Sequence, residues 1–268
     1  MTRPLLVQES SPLVQVLRNR LDDFYRNTQG YDAFQNHSWH PDLWSYVADE
    51  LRRSKTEPRR VLEIGAGRTG FRRYLRERGV SAHFTAQDVT PQNEIFLREE
   101  CDEVIIGPLS NVAGSFDLIF STFVLEHVTD PRATLETVWK LLRPGGSLFI
   151  FCPRYDVPFY LSHSADHYPP PARVAIALRL LAARIGAIVT REPRFLIHVD
   201  PAVFVLPWSR DRDAVHWVSY VDLAIWFKDR GRVNKLRVPS GSLKDAIAKN
   251  FLQVNIRVTK PHADDEGR

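Results

Sequence analysis

The segment Arg60-Val-Leu-Glu63-Ile-Gly65-Ala66-Gly67-Arg-Thr-Gly70-Phe runs a β-branched stretch into three closely spaced glycines and then into a helix-forming stretch. Glycine is needed where backbone approaches a ligand so closely that a Cβ would collide, and the start of a helix offers unpaired N–H groups. A turn of this composition makes a nucleotide site. Asp88 ends the next β-like run, where a carboxylate accepts both hydrogen bonds of a ribose diol. Gly65-x-Gly67-x-x-Gly70 also satisfies the dinucleotide spacing, in which a pyrophosphate rests on the helix N-terminus. Spacing alone does not choose. Glu63, just ahead of the glycines, tips the balance: a carboxylate there repels a pyrophosphate and suits a ligand carrying an ammonium and a sulfonium.

Nine histidines compete for any proton-transfer step, since imidazole titrates near working pH. His127 opens the helical stretch after the β-run at 116–121; its plainer reading, a helix-terminus histidine bonded to backbone, is preferred. His216, just before Trp217, is the second candidate base, and His216→Ala is expected to lower turnover. His163 and His167, with Asp166 between them, would share one face of a helix within reach of a substrate or a metal. A metal would need further ligands such as His198 and Asp200, and nothing in the spacing demands one. Polar capping of a lid is the favoured reading.

Positioning these groups falls to β-runs near 60–64, 81–87, 103–106, 116–121 and 147–152, alternating with helical stretches at 70–78, 91–100 and 131–142. That alternation is the mark of a parallel sheet with right-handed crossovers. Arg143-Pro144-Gly145-Gly146 turns the chain sharply into the fifth run, since proline cannot continue a helix and glycine accepts positive φ. Residues 1–57 read as helices with aromatic punctuation, a lid over a core at 58–152. Over 153–219 the alternation lapses into a triple proline at 169–171 and an apolar helix near 172–185, read as a packed lid helix. So long a departure carries function, here an acceptor-binding insertion. Regular texture returns over 220–260, with helices at 220–230 and 242–250 and strands near 232–238 and 252–258, and 261–268 reads as a loose tail.

The 268 residues suffice for one large α/β domain, and 44% hydrophobic with 25% charged residues exclude a mainly disordered chain. Cys101 and Cys152 are too few for a disulfide framework or a four-thiolate metal site and read as reduced core thiols. No apolar stretch is long enough to span a membrane, and Met1-Thr-Arg-Pro opens no signal pattern, so a cytoplasmic location is expected. The net charge of +4 is spread along the chain, and arginine clusters such as Arg72-Arg73 read as solvated faces. No nucleic-acid partner is expected, and the oligomeric state is not set by the sequence.

At four places in register the chain resembles the class I S-adenosylmethionine-dependent methyltransferases. Val61-Leu-Glu-Ile-Gly-Ala-Gly is similar to their first motif and Gln87-Asp88 to the acidic end of their second strand. Ser115-Phe-Asp-Leu-Ile-Phe-Ser-Thr-Phe-Val-Leu-Glu-His127-Val is similar to their fourth-strand segment, and Leu141-Leu-Arg-Pro-Gly-Gly-Ser-Leu-Phe-Ile to the turn into the fifth. The match covers about 59–152 and, more faintly, 215–258. Two departures stand out. Arg68-Thr69 adds a residue before Gly70, so Gly70 need not touch ligand, and Ile105-Ile-Gly107-Pro-Leu109-Ser replaces the acidic residue found after strand three, which leaves the adenine to backbone near Leu109.

The resemblance implies a Rossmann-like, doubly wound α/β sheet of about seven strands, mostly parallel with one antiparallel. It implies Glu63, Gly65, Ala66 and Gly67 around the methionine moiety, Asp88 at the ribose, Val89 and Leu109 on the adenine faces, and Ser121, Thr122 and Phe123 beneath the sulfonium. Tyr31, Phe34 or Gln35 would close over it. The expected activity is methyl transfer from S-adenosylmethionine to a small molecule, foremost O-methylation of a sugar, glycan or secondary metabolite. N- or C-methylation and an NAD(P)-binding oxidoreductase are the alternatives.

Overall fold

The computed structural model describes residues 5–27, 39–53, 59–200, 202 and 212–262. Strand β1 (Leu5–Gln8) leads into helix α1 (Pro12–Asn27) and then α2 (Pro41–Arg52). The core opens with β2 (Arg60–Ile64), α3 (Phe71–Glu77), β3 (His83–Asp88), α4 (Glu94–Glu100) and β4 (Glu103–Ile106). It continues through β5 (Phe116–Thr122), α5 (Pro131–Leu141) and β6 (Leu142–Pro153). A long helix α6 (Pro170–Thr190) and strand β7 (Leu196–Val199) precede α7 (Tyr220–Phe227), β8 (Arg232–Lys235), α8 (Leu243–Asn250) and β9 (Gln253–Thr259).

The main sheet has seven strands in the order β4-β3-β2-β5-β6-β9-β8. Pairing is parallel from β4 to β6, and β9 runs antiparallel to both β6 and β8. The expected doubly wound α/β sheet with one antiparallel strand is therefore present. Its central strands are buried on both faces, which is why their sequences read as near-continuous apolar runs. Leu62, Ile119 and Ile150 face a cluster with Leu135, Val138 and Trp226, while Val61, Phe120 and Phe149 face Trp44, Phe71 and Tyr74. Chain order reverses between β2, with β3 on one side, and β5 on the other. In sheets of this kind, ligands bind in the crevice beyond the strand ends at that point.

Asp130 starts α5 as its N-cap, accepting from Ala133 N at 3.1 Å, with Pro131 in the first turn. Arg143 to Gly146 do not form a separate turn. They lie within β6, whose pairing with β5 jumps from Phe116↔Leu142 to Leu118↔Ser147, and Gly145 absorbs the irregularity at φ 76°. A second sheet of two strands pairs β1 with β7, and Val14, Leu17 and Leu21 of α1 pack on Ile197 and Val215 beside it. The N-terminal helix and the 153–219 insertion thus share one small core. Both cysteines are free, Cys152 in the interior and Cys101 half-buried. Among the described residues, no helix is long and apolar enough to cross a membrane.

Candidate active site

A cavity of about 510 Å³ opens at the sheet's reversal point. Its floor is laid by Gly65 after β2, Asp88 and Val89 at the end of β3, Leu109 after β4, and Phe123 and Val124 after β5. Gly65 and Gly67 take φ of +62° and +58°, conformations that L side chains rarely adopt, and a Cβ on Gly65 would lie 2.5 Å from Val124 Cγ2. The Asp88 carboxylate braces this turn: one oxygen accepts from Gly67 N at 2.7 Å and the other from Thr90 N at 2.7 Å and Asn93 Nδ2 at 3.3 Å. Burial nevertheless raises its pKa, although these donors oppose the rise. Gln87 ties the same turn, accepting from Gly65 N at 3.3 Å and donating to Gly107 O at 2.7 Å.

Glu63 lies beneath the glycines, 4% exposed, and Oε2 has no hydrogen-bond partner among the described residues. Burial pushes its pKa up to about 8, against the Thr69 hydroxyl and with a further push from Asp88. Ala66 is buried under the turn. Phe123 holds φ at +58°, a strained backbone for a bulky residue, with its N–H on Phe151 O at 2.7 Å and its ring edge-on to His40 at 5.3 Å.

The far wall of the cavity comes from α1 and from the segment after β5. Arg18, Leu21 and Tyr25 face His127 and Thr129 across it. His127 Nδ1 lies 3.3 Å from Asp213 Oδ2, and Tyr25 Oη donates to the same oxygen at 2.8 Å. Asp213 is 3% exposed; burial alone would raise its pKa, but His127 and Tyr25 outweigh burial and hold it below the usual carboxylate range. His127 thus sits on the cavity wall between the buried carboxylates of Asp213 and Glu126, the latter 4.0 Å from Nε2, a setting in which a carboxylate can orient an imidazole for proton transfer. Arg18 Nε donates to Thr129 Oγ1 at 3.1 Å and pairs with Asp130 at 3.3 Å at the rim.

A family model described as a methyltransferase domain matches residues 39–232, most of the chain. The chain belongs to the methyltransferase-domain family. The dinucleotide reading of the glycine spacing gives way accordingly, and the domain falls in the class I S-adenosylmethionine-dependent group. Among curated proteins it is 25% identical over 167 residues to a demethylmenaquinone methyltransferase of Deinococcus radiodurans, covering 56% of this chain and 62% of that one. It is 30% identical over 124 residues to a ubiquinone biosynthesis O-methyltransferase of Xylella fastidiosa, covering 42% and 48%. A non-reducing polyketide synthase of Penicillium shearii is 32% identical over 118 residues, covering 38% of this chain and 5% of that one. The chain therefore spans less than two thirds of these relatives. In fold it is similar to a Burkholderia thailandensis 1,6-didemethyltoxoflavin-N1-methyltransferase, with a TM-score of 0.52, 16% identity and coverage of 97% and 100%. It is also similar to a Synechocystis magnesium protoporphyrin IX methyltransferase, with a TM-score of 0.53, 11% identity and coverage of 91% and 99%.

The methyltransferase domain brings together Gly65, Asp88, Val89, Leu109, Phe123 and His127 of the sequence-predicted set as cavity lining. Others stand elsewhere. Gly70 caps α3, and a Cβ there would meet the Trp39 ring at 2.9 Å, so packing accounts for it. Ser121 lines a small void behind Val124, and Thr122 leads into the strained Phe123. Tyr31, Phe34 and Gln35 lie outside the described residues.

Three histidine assignments need correction. His216 is fully buried, with Nδ1 2.8 Å from Leu125 O, and burial depresses its pKa to about 3. Such a ring holds the segment after β5 in place and does not line the cavity. His163 and His167 do not share a helix face. His163 sits in a single 3₁₀ turn paired with Asp166 at 2.9 Å, 64% exposed, and His167 Nε2 meets Asp200 at 2.7 Å. Asp200 also accepts from Tyr168, whose hydroxyl lies 3.3 Å from His198, itself beside Ser164. That network ties the insertion together, away from the cavity. Sequence reasoning missed Tyr25 and Asp213, which carry no local pattern and meet His127 only through folding.

Proposed function

We propose that this chain transfers a methyl group from S-adenosylmethionine to an oxygen of a small molecule, a sugar, glycan or secondary metabolite, with His127 as general base. The glycine turn fits the cofactor's chemistry: a cradle of positive-φ glycines leaves room for close backbone approach, and Glu63, buried behind that turn and outside the cavity lining, keeps one carboxylate oxygen unpartnered, which suits a cationic group. Gly65 in the lining, with Ala66, Gly67 and the buried Glu63 behind it, would hold the methionine moiety, Asp88 the ribose, Val89 and Leu109 the adenine, and Phe123 the floor. When bound, the cofactor supplies a methyl carbon activated by a sulfonium.

The residues around the acceptor do the rest. Leu21, Tyr25 and Phe123 wall the space in which the acceptor is aligned, and alignment contributes much of the rate of an in-line displacement. Asp213 Oδ2, 3.3 Å from His127 Nδ1, and the buried Glu126 carboxylate, 4.0 Å from Nε2, flank the ring; with the proton on Nδ1, Nε2 would be the nitrogen with a lone pair. A hydroxyl acceptor would lose its proton there as its oxygen attacks. His127 on the cavity wall, with Asp213 buried beside it, carries this reading.

Labelled-methyl incorporation into a panel of hydroxylated aromatics and sugars tests it. His127→Ala is expected to lower kcat by ~10²–10⁴-fold, with Asp213→Asn falling in the same direction and cofactor affinity by calorimetry unchanged in both. Undiminished turnover in His127→Ala, or methylation of amines and carbons alone, would overturn the assignment.

A further inference from the structure

Helix α6 is apolar on two faces. One is buried: Ile176 and Leu180 pack with Tyr155, Leu196 and Trp217, and Arg184 reaches Asp222 of α7 and Trp217 O. The other faces water with Val174, Leu178, Leu181, Ile185, Ile188 and Val189, which are between 44% and 76% exposed. A surface helix normally turns charged residues outward. Here Ala175 and Ala182 flank the stripe and Arg179 lies well round the helix from it, while no carboxylate occurs anywhere in Pro170–Thr190.

The spacing identifies what fits. Val174, Leu178, Leu181, Ile185 and Ile188 alternate steps of four and three, the seam along which one helix packs on another. The series is also close to symmetric about Leu181. Laid antiparallel on a second copy, Val174 comes opposite Ile188, Leu178 falls beside Ile185, and Leu181 meets itself, so the surface is complementary to its own image, as a two-fold interface requires. The small flanking alanines let the helices come close. At ~1.5 Å per residue the helix is about 30 Å long, enough for the apolar centre of an interface of ~800 Å² per partner. A lipid surface would call for several free cations along the rim of the stripe, whereas of the three arginines in the helix Arg173 pairs with Asp166, Arg184 is buried on Asp222, and Arg179 lies well round the helix from the stripe.

We infer that the outer face of α6 is the contact between two copies of this chain, packed antiparallel about Leu181. The inference stands independently of the acceptor's identity, because α6 contributes no residue to the cavity wall.

Sedimentation over a concentration series tests it together with crosslinking. The wild-type chain is expected at twice its monomer mass, and Leu181→Glu, which sets two carboxylates face to face at the axis, is expected to weaken association by at least ~30-fold. Leu181→Cys in a Cys101→Ser background is expected to form a covalent dimer under mild oxidation, whereas Ile95→Cys, exposed on α4, is not. The crosslink does not depend on how well the glutamate variant folds. A wild-type monomer at every concentration, a Leu181→Glu dimer, or a Leu181→Cys variant that forms no crosslink would overturn the proposal. So would a monomer that pellets with phosphatidylcholine–phosphatidylglycerol vesicles through this face, or a Leu181→Cys monomer whose introduced thiol resists labelling because the chain itself covers it.

Discussion

Asp88 has two roles at once. Its carboxylate holds the glycine turn through Gly67 N and the following segment through Thr90 N, and the same group borders the cavity where a ribose would lie. Asp88→Ala is therefore expected to weaken S-adenosylmethionine binding by about 2 kcal/mol or more, since bonds to a charged acceptor are worth ~1.5–3 kcal/mol each. Calorimetry reads this directly, and affinity equal to wild type would remove Asp88 from the site. The places of Gly65 and Asp88 on the cavity lining are legible in the sequence because the turn that uses them is local and each strand end fixes its own residue, whereas Glu63 lies buried behind the turn and outside that lining. His127 is visible there too, but its chemistry is not. Its partner Asp213 arrives from the far end of the insertion, and only packing of α1 against β7 brings Tyr25 to both. The motif around His216 favours it for chemistry, yet sequence does not report that the ring is enclosed beneath Leu125.

Among the elements, the sheet strands and their crossovers follow from periodicity, since a strand buried on both faces leaves an apolar run that few other structures produce. The pair β1 and β7 does not. Four residues each, they are held mainly by each other and by α1, with too little pattern to stand out. The sequence pattern predicts α6 as a shorter packed lid helix near 172–185; the structure extends it to Pro170–Thr190 and buries Arg184 against Asp222, Trp217 O and Arg194 O. Asp222 is fully buried, and its second oxygen accepts from Arg194 N at 2.9 Å. This ion pair is the bolt between α6 and α7. Removing one partner leaves an uncompensated charge in the interior, so Arg184→Ala is expected to cost about 3–5 kcal/mol in urea unfolding. An Arg184→Met, Asp222→Leu double variant is expected to recover most of that loss, and a single variant as stable as wild type would show that the pair bears no such weight.

For the whole molecule, the buried ionisable groups set how stability varies with pH. His198 and His216 are held by burial at about 4 and about 3, below their ordinary 6.5. The unfolded chain therefore binds more protons than the folded one as pH drops through 6.5, and stability is lost on the acid side. Glu63 acts with the opposite sign: burial lifts it from 4.5 to about 8, so the folded chain keeps a proton that the unfolded chain has released, and stability is lost as pH rises through that window. Between 4.5 and 6.5 the two histidines outweigh the one glutamate. Above 6.5 the histidine contribution fades and Glu63 gives a decline of up to about 1.4 kcal/mol per pH unit until pH 8. Asp88 and Asp222, also raised by burial, blunt the rise on the acid side starting from 3.8. The melting temperature is thus expected to peak near pH 6.5 and fall towards pH 8, and Glu63→Gln is expected to abolish that fall. A cationic ligand beside Glu63 favours its ionised form, so the thermal shift from S-adenosylmethionine should grow from pH 6.5 to pH 8 in the wild type and stay level in the variant. A wild-type melting curve flat over that range, or a cofactor shift that grows equally in Glu63→Gln, would separate this carboxylate from both stability and binding.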